Sequence, residues 1–319
     1  MGKLGPHIAA GILPAAVYRK GIYMIYHYAA YENAKSILKS QKLYLGSSIS
    51  MDDKVDRFYG NLYATVHLLT SNHRHYQDIR ENLTTDEILK INEESLNLPF
   101  YSASFCKRQD NEYLWKNYAD NKKGVALGFD EELLQKNIEE TLRHHYKDID
   151  GDKIDCPEPP KVLPLRTVTY SSIDAKEFMD KVADDLYNWF FTNLDTGKTV
   201  DCKFWWKLIL CLAGGVIKGT DYRKEEEIRL IFQNIYDEKY MADYPITMIQ
   251  KYEYEEGMNR LGLMTLFTNE PKERFELDLQ SQPNSPKVIK QIVLGKNFPK
   301  ESEEEVRKLA ATNGLEIVR

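Results

Sequence analysis

Short runs of β-branched and aromatic residues recur along the chain and predict strands. The clearest is 22–28 (IYMIYHY), and 100–105 (FYSASF) alternates in a similar way. Further runs of this kind lie at 42–47, 124–129, 166–170, 226–232, 274–279, 288–294 and 315–318. Because they are interspersed with helical segments in no fixed order, they predict an α+β fold whose core is a mixed, mostly antiparallel sheet.

Apolar residues at helical spacing predict the intervening helices. The predicted segments are 32–40, 84–95, 110–118, 130–146, 174–193, 201–217 and 302–311. Segment 201–217 has a broad apolar face, which is typical of a buried helix. Local signals mark several helix ends: the capping boxes Thr84-x-x-Glu87 and Ser302-x-x-Glu305, the N-cap Asp130 and the C-terminal Gly314.

Four prolines make 150–164 a predicted loop. A strand is predicted directly after this loop, so we interpret it as an excursion and not as a domain boundary. The first twenty residues contain a mildly apolar piece, broken by Gly11 and Pro14, that does not resemble a signal peptide. We therefore expect an N-terminal arm over 1–20 and a single domain over 21–319, with a helical insertion around 171–217.

The charge balance excludes some classes of partner. The 319 residues include 43 Lys and Arg against 49 Asp and Glu, which gives a net charge of −6. This argues against a protein that coats nucleic acid or an anionic membrane non-specifically. The four cysteines form no CxxC pair, and no apolar run reaches the length of a bilayer span, so we expect a reduced, cytoplasmic protein without a membrane partner.

The most unusual segment is 222–232 (YRKEEEIRLIF). If it is extended, Glu225, Glu227 and Arg229 share one face, because alternate residues of a strand point the same way. Two carboxylates and a guanidinium in a row are costly inside a sheet unless that face lines a wet cleft. The alternative is a solvated face with an ordinary Glu–Arg pair.

Other segments have both structural and functional interpretations. His27 ends an apolar strand, where a satisfied core histidine is the common case. The acidic turn 51–57 (MDDKVDR) could bind a metal or cap a helix. Trp115 and Tyr118, three residues apart, are predicted to be mainly structural. The pairs His73/His75 and His144/His145 lack partners at metal-ligand spacing, so they are interpreted as surface residues and no metal site is predicted.

Taken in order, several motifs resemble a widespread bacterial family of domains of unknown function found near mobile elements and defence loci. They are HY at 27–28, SFC at 104–106, W-x-x-Y at 115–118, GVALGFD at 124–130 and E-x-E-x-R at 225–229. The resemblance runs from about residue 22 to the end. The acidic turn departs from the family pattern, which often reads Asn-Asp-Pro-x-Glu there.

That family is in turn distantly similar to ADP-ribosyltransferases, including DarT-like DNA-modifying toxins. The resemblance implies an ADP-ribosyltransferase-like fold, NAD as substrate, Glu227 as catalytic carboxylate and Glu225 as the group that orients the acceptor. It also implies that His27 binds an NAD ribose, that Tyr28 or Tyr44 lies against the nicotinamide, and that Arg57 contacts the pyrophosphate or acceptor.

The resulting hypothesis is a bacterial effector, a toxin or anti-phage defence component, that uses NAD to modify a nucleic acid or protein. An antitoxin or another defence protein is its expected partner. Two alternatives stay open. One is a non-catalytic domain that binds a ligand or partner, with Glu225, Glu227 and Arg229 as a structural ion network. The other is a metal-dependent nuclease or hydrolase that uses Asp52, Asp53, Asp56 and Glu227.

Overall fold

The predicted strands assemble into one nine-stranded sheet in the computed structural model, which describes residues 23–48, 54–96, 100–143, 165–193, 202–233, 274–280 and 285–319. The strands are β1 (Met24–Ala29), β2 (Lys42–Ser47), β3 (Phe100–Cys106), β4 (Val125–Asp130), β5 (Leu165–Thr167), β6 (Glu227–Gln233), β7 (Arg274–Asp278), β8 (Ile289–Leu294) and β9 (Glu316–Val318). Their bounds lie within two residues of the predicted runs, except that β5 ends three residues before its predicted end at 170.

Nine α-helices accompany the sheet in the described residues. They are α1 (Tyr31–Ser40), α2 (Lys54–Thr70), α3 (Arg74–Asn82), α4 (Thr85–Ser95), α5 (Glu112–Asn117), α6 (Glu131–Arg143), α7 (Ser172–Asn193), α8 (Cys202–Val216) and α9 (Glu303–Asn313). The capping box of Thr84 and Glu87 is present, as predicted. The one predicted at Ser302 is absent, since Glu305 binds Tyr31 and Lys35 instead.

The order of strands through the sheet is β5-β6-β3-β1-β4-β8-β9, and β2 pairs with β3 and β7 beside this path. All pairs are antiparallel except β8 with β9. The prediction of an α+β fold with a mixed, mostly antiparallel sheet is therefore confirmed.

Strand β3 has one continuous edge and one divided edge. It pairs with β6 along its whole length, from Phe100 opposite Gln233 to Cys106 opposite Glu227. Its other edge pairs with β1 only at Cys106, opposite Tyr26, and with β2 only at Ser102 and Tyr101. Between these points β1 and β2 diverge from each other beside residues 103–105. We call this divergence the fork.

The two faces of the sheet have different coverings. One face holds the larger core and packs against α1, α6 and α9. The other face packs Tyr26, Tyr28 and Cys106 against α5, while Phe100 and Ile231 contact Val216 of α8. Helix α8 belongs to a helical layer that also contains α2, α3, α4 and α7. This layer has a hydrophobic core of its own.

His75 belongs to this helical layer, so its prediction as a surface residue is wrong. Its side chain is only 1% exposed, it stacks on Tyr187 at 3.8 Å, and its Nε2 lies 3.1 Å from Asp184.

Three of the predictions concern segments outside the described residues. They are the N-terminal arm at 1–20, the loop at 150–164 and the surface pair His144/His145. No helix in the described ranges is both long and apolar enough to cross a bilayer.

A close approach of α2 and α8 within the helical layer makes Gly60 sensitive to substitution. A Cβ atom at Gly60 would lie 2.2 Å from the carbonyl oxygen of Ala213, a backbone atom that cannot move aside cheaply. We expect Gly60→Ala to lower the free energy of unfolding by about 1–3 kcal/mol, measured by chemical denaturation. Gly219→Ala is the control, because its Cβ would meet only ring carbons at 3.8 Å; an equal loss in both variants would contradict this account.

Candidate functional site

A cleft of about 240 Å³ opens at the fork. Strands β1 and β3 supply most of its walls, and β2, α5 and the segment from 218 to 227 supply the remainder. Its lining residues are Tyr26, His27, Tyr28, Tyr44, Ser102, Ala103, Ser104, Phe105, Leu114, Tyr118, Lys218, Glu225 and Glu227. Five of the six residues predicted for the site, all except Arg57, therefore lie around one cavity.

Glu227 is the first residue of β6, and its carboxylate is buried, with 4% of the side chain exposed. It is paired with Cys106 of β3, which is opposite Tyr26 of β1. The side chain of Glu227 therefore lies on the same face of the sheet as Tyr26, and also as Ser104, which is two residues from Cys106 in β3. The hydroxyl of Ser104 donates to Oε1 of Glu227, and Nε of Arg229 donates to the same oxygen over 2.7 Å. The backbone N–H of Glu227 donates to the hydroxyl of Tyr170.

The other carboxylate oxygen of Glu227 is less well satisfied. Oε2 lies 2.9 Å from Nζ of Lys218, but among the described residues no donor is aligned for a hydrogen bond to it. Buried polar atoms without a hydrogen bond are uncommon, and this one is shielded from solvent beside the ammonium group of Lys218.

The charge state of Glu227 follows from its surroundings. Burial acts to raise its pKa, but the attraction of Arg229 and Lys218 outweighs burial, and hydrogen bonds from Arg229 and Ser104 add to that attraction. The pKa of Glu227 is lowered to about 2, so the carboxylate is ionised throughout the physiological range.

Glu225 lines the cleft, but from a different element of secondary structure than the predicted strand. It is the last residue of a 3-10 helix (Thr220–Glu225) and not a strand residue, because Glu226 adopts a left-handed backbone with φ of 48° before β6 begins. Lys218 donates to Oε2 of Glu225 over 2.7 Å, and the Tyr118 hydroxyl donates to Oε1 over 2.6 Å. Glu227 and Arg229 share one face of β6 as predicted, but the prediction that Glu225 belongs to that strand face is wrong, although both glutamates line the cleft.

His27 lies at the fork and does not share a face with Glu227. It is adjacent to Tyr26 in β1, so its ring points to the opposite face, where it contacts Phe105 with ring centres 5.7 Å apart. Nδ1 of His27 donates to the carbonyl oxygen of Ser104 over 2.9 Å, which joins β1 to β3 where their pairing has ended. Burial lowers the pKa of His27, although this hydrogen bond acts to raise it. The neutral ring then offers Nε2 as a hydrogen-bond acceptor.

The two tyrosines predicted for a stacking role differ in their surroundings. Tyr28 is buried, its ring edge meets Trp115 at 5.0 Å, and its hydroxyl donates to the carbonyl oxygen of Arg108. Tyr44 is half-buried and follows the register of β2 onto the same face as Ser102 and Ser104. Tyr44 therefore has the more accessible ring at the cleft.

Helix α5 connects the fork to the segment that carries Glu225. The side chain of Asn111 caps α5 by accepting from the N–H groups of Tyr113 and Leu114, and its amide donates to the carbonyl oxygen of Lys224. Trp115 is buried as predicted, but Tyr118 is 49% exposed and binds Glu225. The prediction that Tyr118 is mainly structural is therefore wrong, and it belongs to the cleft.

The residues of the metal hypothesis fall mostly outside the described part of the chain. Asp52 and Asp53 are outside it, as are the side chains of Asp56 and Arg57 in the first turn of α2. Within the described residues there is no group of three or more His, Cys, Asp or Glu side chains that could hold a metal ion.

Sequence reasoning missed Lys218 and gave Ser104 no role. Lys218 follows an apolar helix with no motif around it, and its importance arises from its contacts with Glu225 and Glu227. Ser104 had a weak signal in the sequence, since it is a polar residue within the apolar run FYSASF.

Comparison with known proteins gives one match. Residues 114–230, which include the last four residues of α5, all of α8, Lys218 and both glutamates, match a family described as protein of unknown function (DUF2971). No curated protein and no solved structure matches the chain. Over this central segment, the chain is thus similar to an uncharacterised-domain family.

Proposed function

We propose that the cleft at the fork binds NAD and that the protein transfers ADP-ribose from it to an acceptor. The observation that carries this proposal is the ionised, buried carboxylate of Glu227 on the lining of a cleft with aromatic walls. The acceptor is a nucleic acid or a protein, and the setting is a bacterial toxin or anti-phage defence component, as the sequence resemblance implies.

The chemistry requires a fixed negative charge. Cleavage of the bond between nicotinamide and ribose leaves positive charge on the ribose carbon, as in glycoside hydrolysis. The bonding pair departs with nicotinamide, and the acceptor supplies a new pair and loses a proton. A carboxylate that is already ionised and oriented stabilises this cationic transition state without reorganisation. Glu227 has this charge because Arg229 and Lys218 lower its pKa.

The remaining cleft residues suit the sugar and the ring. The carboxylate of Glu227 and Nε2 of neutral His27 are acceptors in the cleft lining, and ribose hydroxyls are donors. Tyr44 offers an aromatic surface for the nicotinamide ring. Glu225, held by Tyr118 and Lys218, would orient the acceptor nucleophile.

The size and charge of the cleft limit which part of NAD it takes. A volume of about 240 Å³ is below the range of roughly 300–1,000 Å³ typical of ligand pockets, so it suits the nicotinamide riboside half of the dinucleotide. Lys218, the only cation that the described residues contribute to its lining, already lies between two glutamates. The pyrophosphate would therefore lie outside this lining.

The direct test is incubation of the purified protein with NAD. We expect saturable binding in a calorimetric titration, release of nicotinamide, and a mass gain of one ADP-ribose on cellular RNA, DNA or protein. Activity that survives a chelator separates this proposal from a metal-dependent nuclease. A protein that neither binds NAD nor releases nicotinamide would overturn the proposal.

His27→Ala tests the sugar contact. Because His27 is half-buried and contributes one acceptor, we expect NAD affinity to fall by about 3- to 10-fold, the size of one ordinary hydrogen bond. The melting temperature should change little by comparison. Tyr23→Ala, an exposed position just before β1, is the control and should keep full affinity. Unchanged affinity with a large fall in melting temperature would make His27 a core residue.

A second candidate function is binding without catalysis. It is favoured by the ion pairs of Glu227 with both Arg229 and Lys218, which balance its charge as in a structural network. This candidate predicts that NAD or another ligand binds while no nicotinamide is released.

A further inference from the structure

Lys218 occupies a buried position between the two glutamates of the cleft. It lies two residues beyond the end of α8, and its backbone N–H donates to the carbonyl oxygen of Thr169 over 3.0 Å. Its Nζ is 2.7 Å from Oε2 of Glu225 and 2.9 Å from Oε2 of Glu227. The two Oε2 atoms are thus separated by no more than the sum of these distances, with one ammonium group in contact with both.

The other groups that face the two carboxylates come from four elements. Arg229 of β6 and Ser104 of β3 bind Oε1 of Glu227, and Tyr118 at the end of α5 binds Oε1 of Glu225. Tyr170, beyond β5, accepts from the backbone of Glu227. Burial raises the pKa of both tyrosines, so their hydroxyls stay neutral. Lys218 is therefore the cation on the side where the carboxylates approach each other.

We propose that Lys218 is a positioning residue that keeps both carboxylates ionised at a fixed separation, and that without its ammonium group Glu225 and Glu227 share one proton. Two negative charges at this distance in a water-poor site repel strongly, and the pair lowers its energy by taking up a proton when no cation separates it. Arg229 cannot substitute, because it contacts the other oxygen of Glu227.

The catalytic consequence rests on the proposed function. A shared proton removes part of the negative charge that faces the ribose, so nicotinamide release would fall. Protonation of the pair does not depend on NAD, however, and can be measured whether or not the protein is a transferase.

The experiment compares the full chain with Lys218→Met, with the double variant Lys218→Met/Glu225→Gln, and with Lys207→Met. Lys207 is an equally buried lysine of α8 that does not line the cleft. Infrared difference spectra at neutral pH report the carbonyl stretch of a protonated carboxyl group. For each protein, nicotinamide release is also measured as a function of pH, and so is the free energy of unfolding.

We expect Lys218→Met to gain the signal of one protonated carboxyl group, and the parent, the double variant and Lys207→Met to lack it. Nicotinamide release by Lys218→Met should fall by about tenfold or more at neutral pH and rise again as the pH is raised, while the double variant recovers part of it. The stability deficit of Lys218→Met should be greatest at high pH, because a carboxyl group that gains a proton on folding favours the folded state at low pH.

The outcomes separate the two proposals. If Lys218→Met fails to fold, we expect the double variant to fold, since removal of one carboxylate relieves the repulsion. Failure of both to fold, or a folded Lys218→Met without the carboxyl signal, would overturn the role of Lys218. If no variant and no parent releases nicotinamide but the carboxyl signal appears, the role of Lys218 stands and the transferase proposal fails.

Discussion

Replacement of Glu227 by glutamine should lower the rate of nicotinamide release by about 10²–10³-fold. Glutamine keeps the shape of the side chain and one acceptor oxygen but removes the fixed negative charge that faces the developing cation, and loss of one preorganised electrostatic group has effects of this size. The rate, measured with saturating NAD, should show no acid limb from Glu227 near the ordinary pKa of 4.5, because its pKa in the folded protein is about 2.

The same substitution should also weaken the fold. From the sequence, Glu227 is expected to be a partly solvated carboxylate whose loss leaves folding nearly unchanged, but it is buried between Arg229 and Lys218. Breaking a buried ion pair from one side costs about 3–5 kcal/mol. Because the pKa of Glu227 is lowered on folding, its stabilisation is complete above the ordinary carboxyl pKa and is lost as the pH falls towards 2. The difference in stability between parent and variant should therefore shrink on acidification.

Glu226→Gln is the matched control for both measurements. Its side chain is about half exposed and pairs with Arg108 at the surface, so the change should be nearly neutral for stability and for nicotinamide release. A Glu227→Gln protein that folds and releases nicotinamide at the parent rate would remove the basis of the transferase proposal.

Trp115→Ala should lower the free energy of unfolding by about 3–5 kcal/mol. Its ring is buried on α5 against Tyr28, and its Nε1–H donates to the carbonyl oxygen of Gln109 over 3.0 Å. Truncation leaves a cavity beside Tyr28 and removes the donor to the carbonyl group of Gln109. Chemical denaturation measures the loss, with exposed Lys116→Ala as the neighbouring control. A Trp115→Ala protein as stable as the parent but inactive would place Trp115 in binding and not in packing.

The strands were predictable because each is a short apolar run between polar segments. Strand β2, for example, has the predicted bounds. Helices α2 and α3 were harder to predict. Tyr76 and Ile79 are buried in α3, but they lie among polar residues because most of that short helix faces solvent. Their burial depends on α7 and α8, which are distant in sequence, so no local pattern marks them.

The candidate site was predictable only as a set of residues. Glu225, Glu227 and His27 were identified, but the reason given for the glutamates, a shared strand face, fails at Glu226, whose left-handed backbone separates the 3-10 helix from β6. The divided edge of β3 arises from the pairing of β1 and β2 with the same strand, a tertiary arrangement that no local run specifies. Lys218 and Tyr118 acquire their roles only through that arrangement.

The pairing of β3 with β6 also bears on when the cleft forms during synthesis. The N-terminal strands β1, β2, β3 and β4 emerge from the ribosome first, but β3 lacks β6, β2 lacks β7 and β4 lacks β8 until residues 227–233, 274–278 and 289–294 have followed. Contacts so distant in sequence form late, and open strand edges are exposed in the interval. An NAD-consuming activity built on this sheet would therefore be withheld from ribosome-bound chains until residues 289–294 had been made and released.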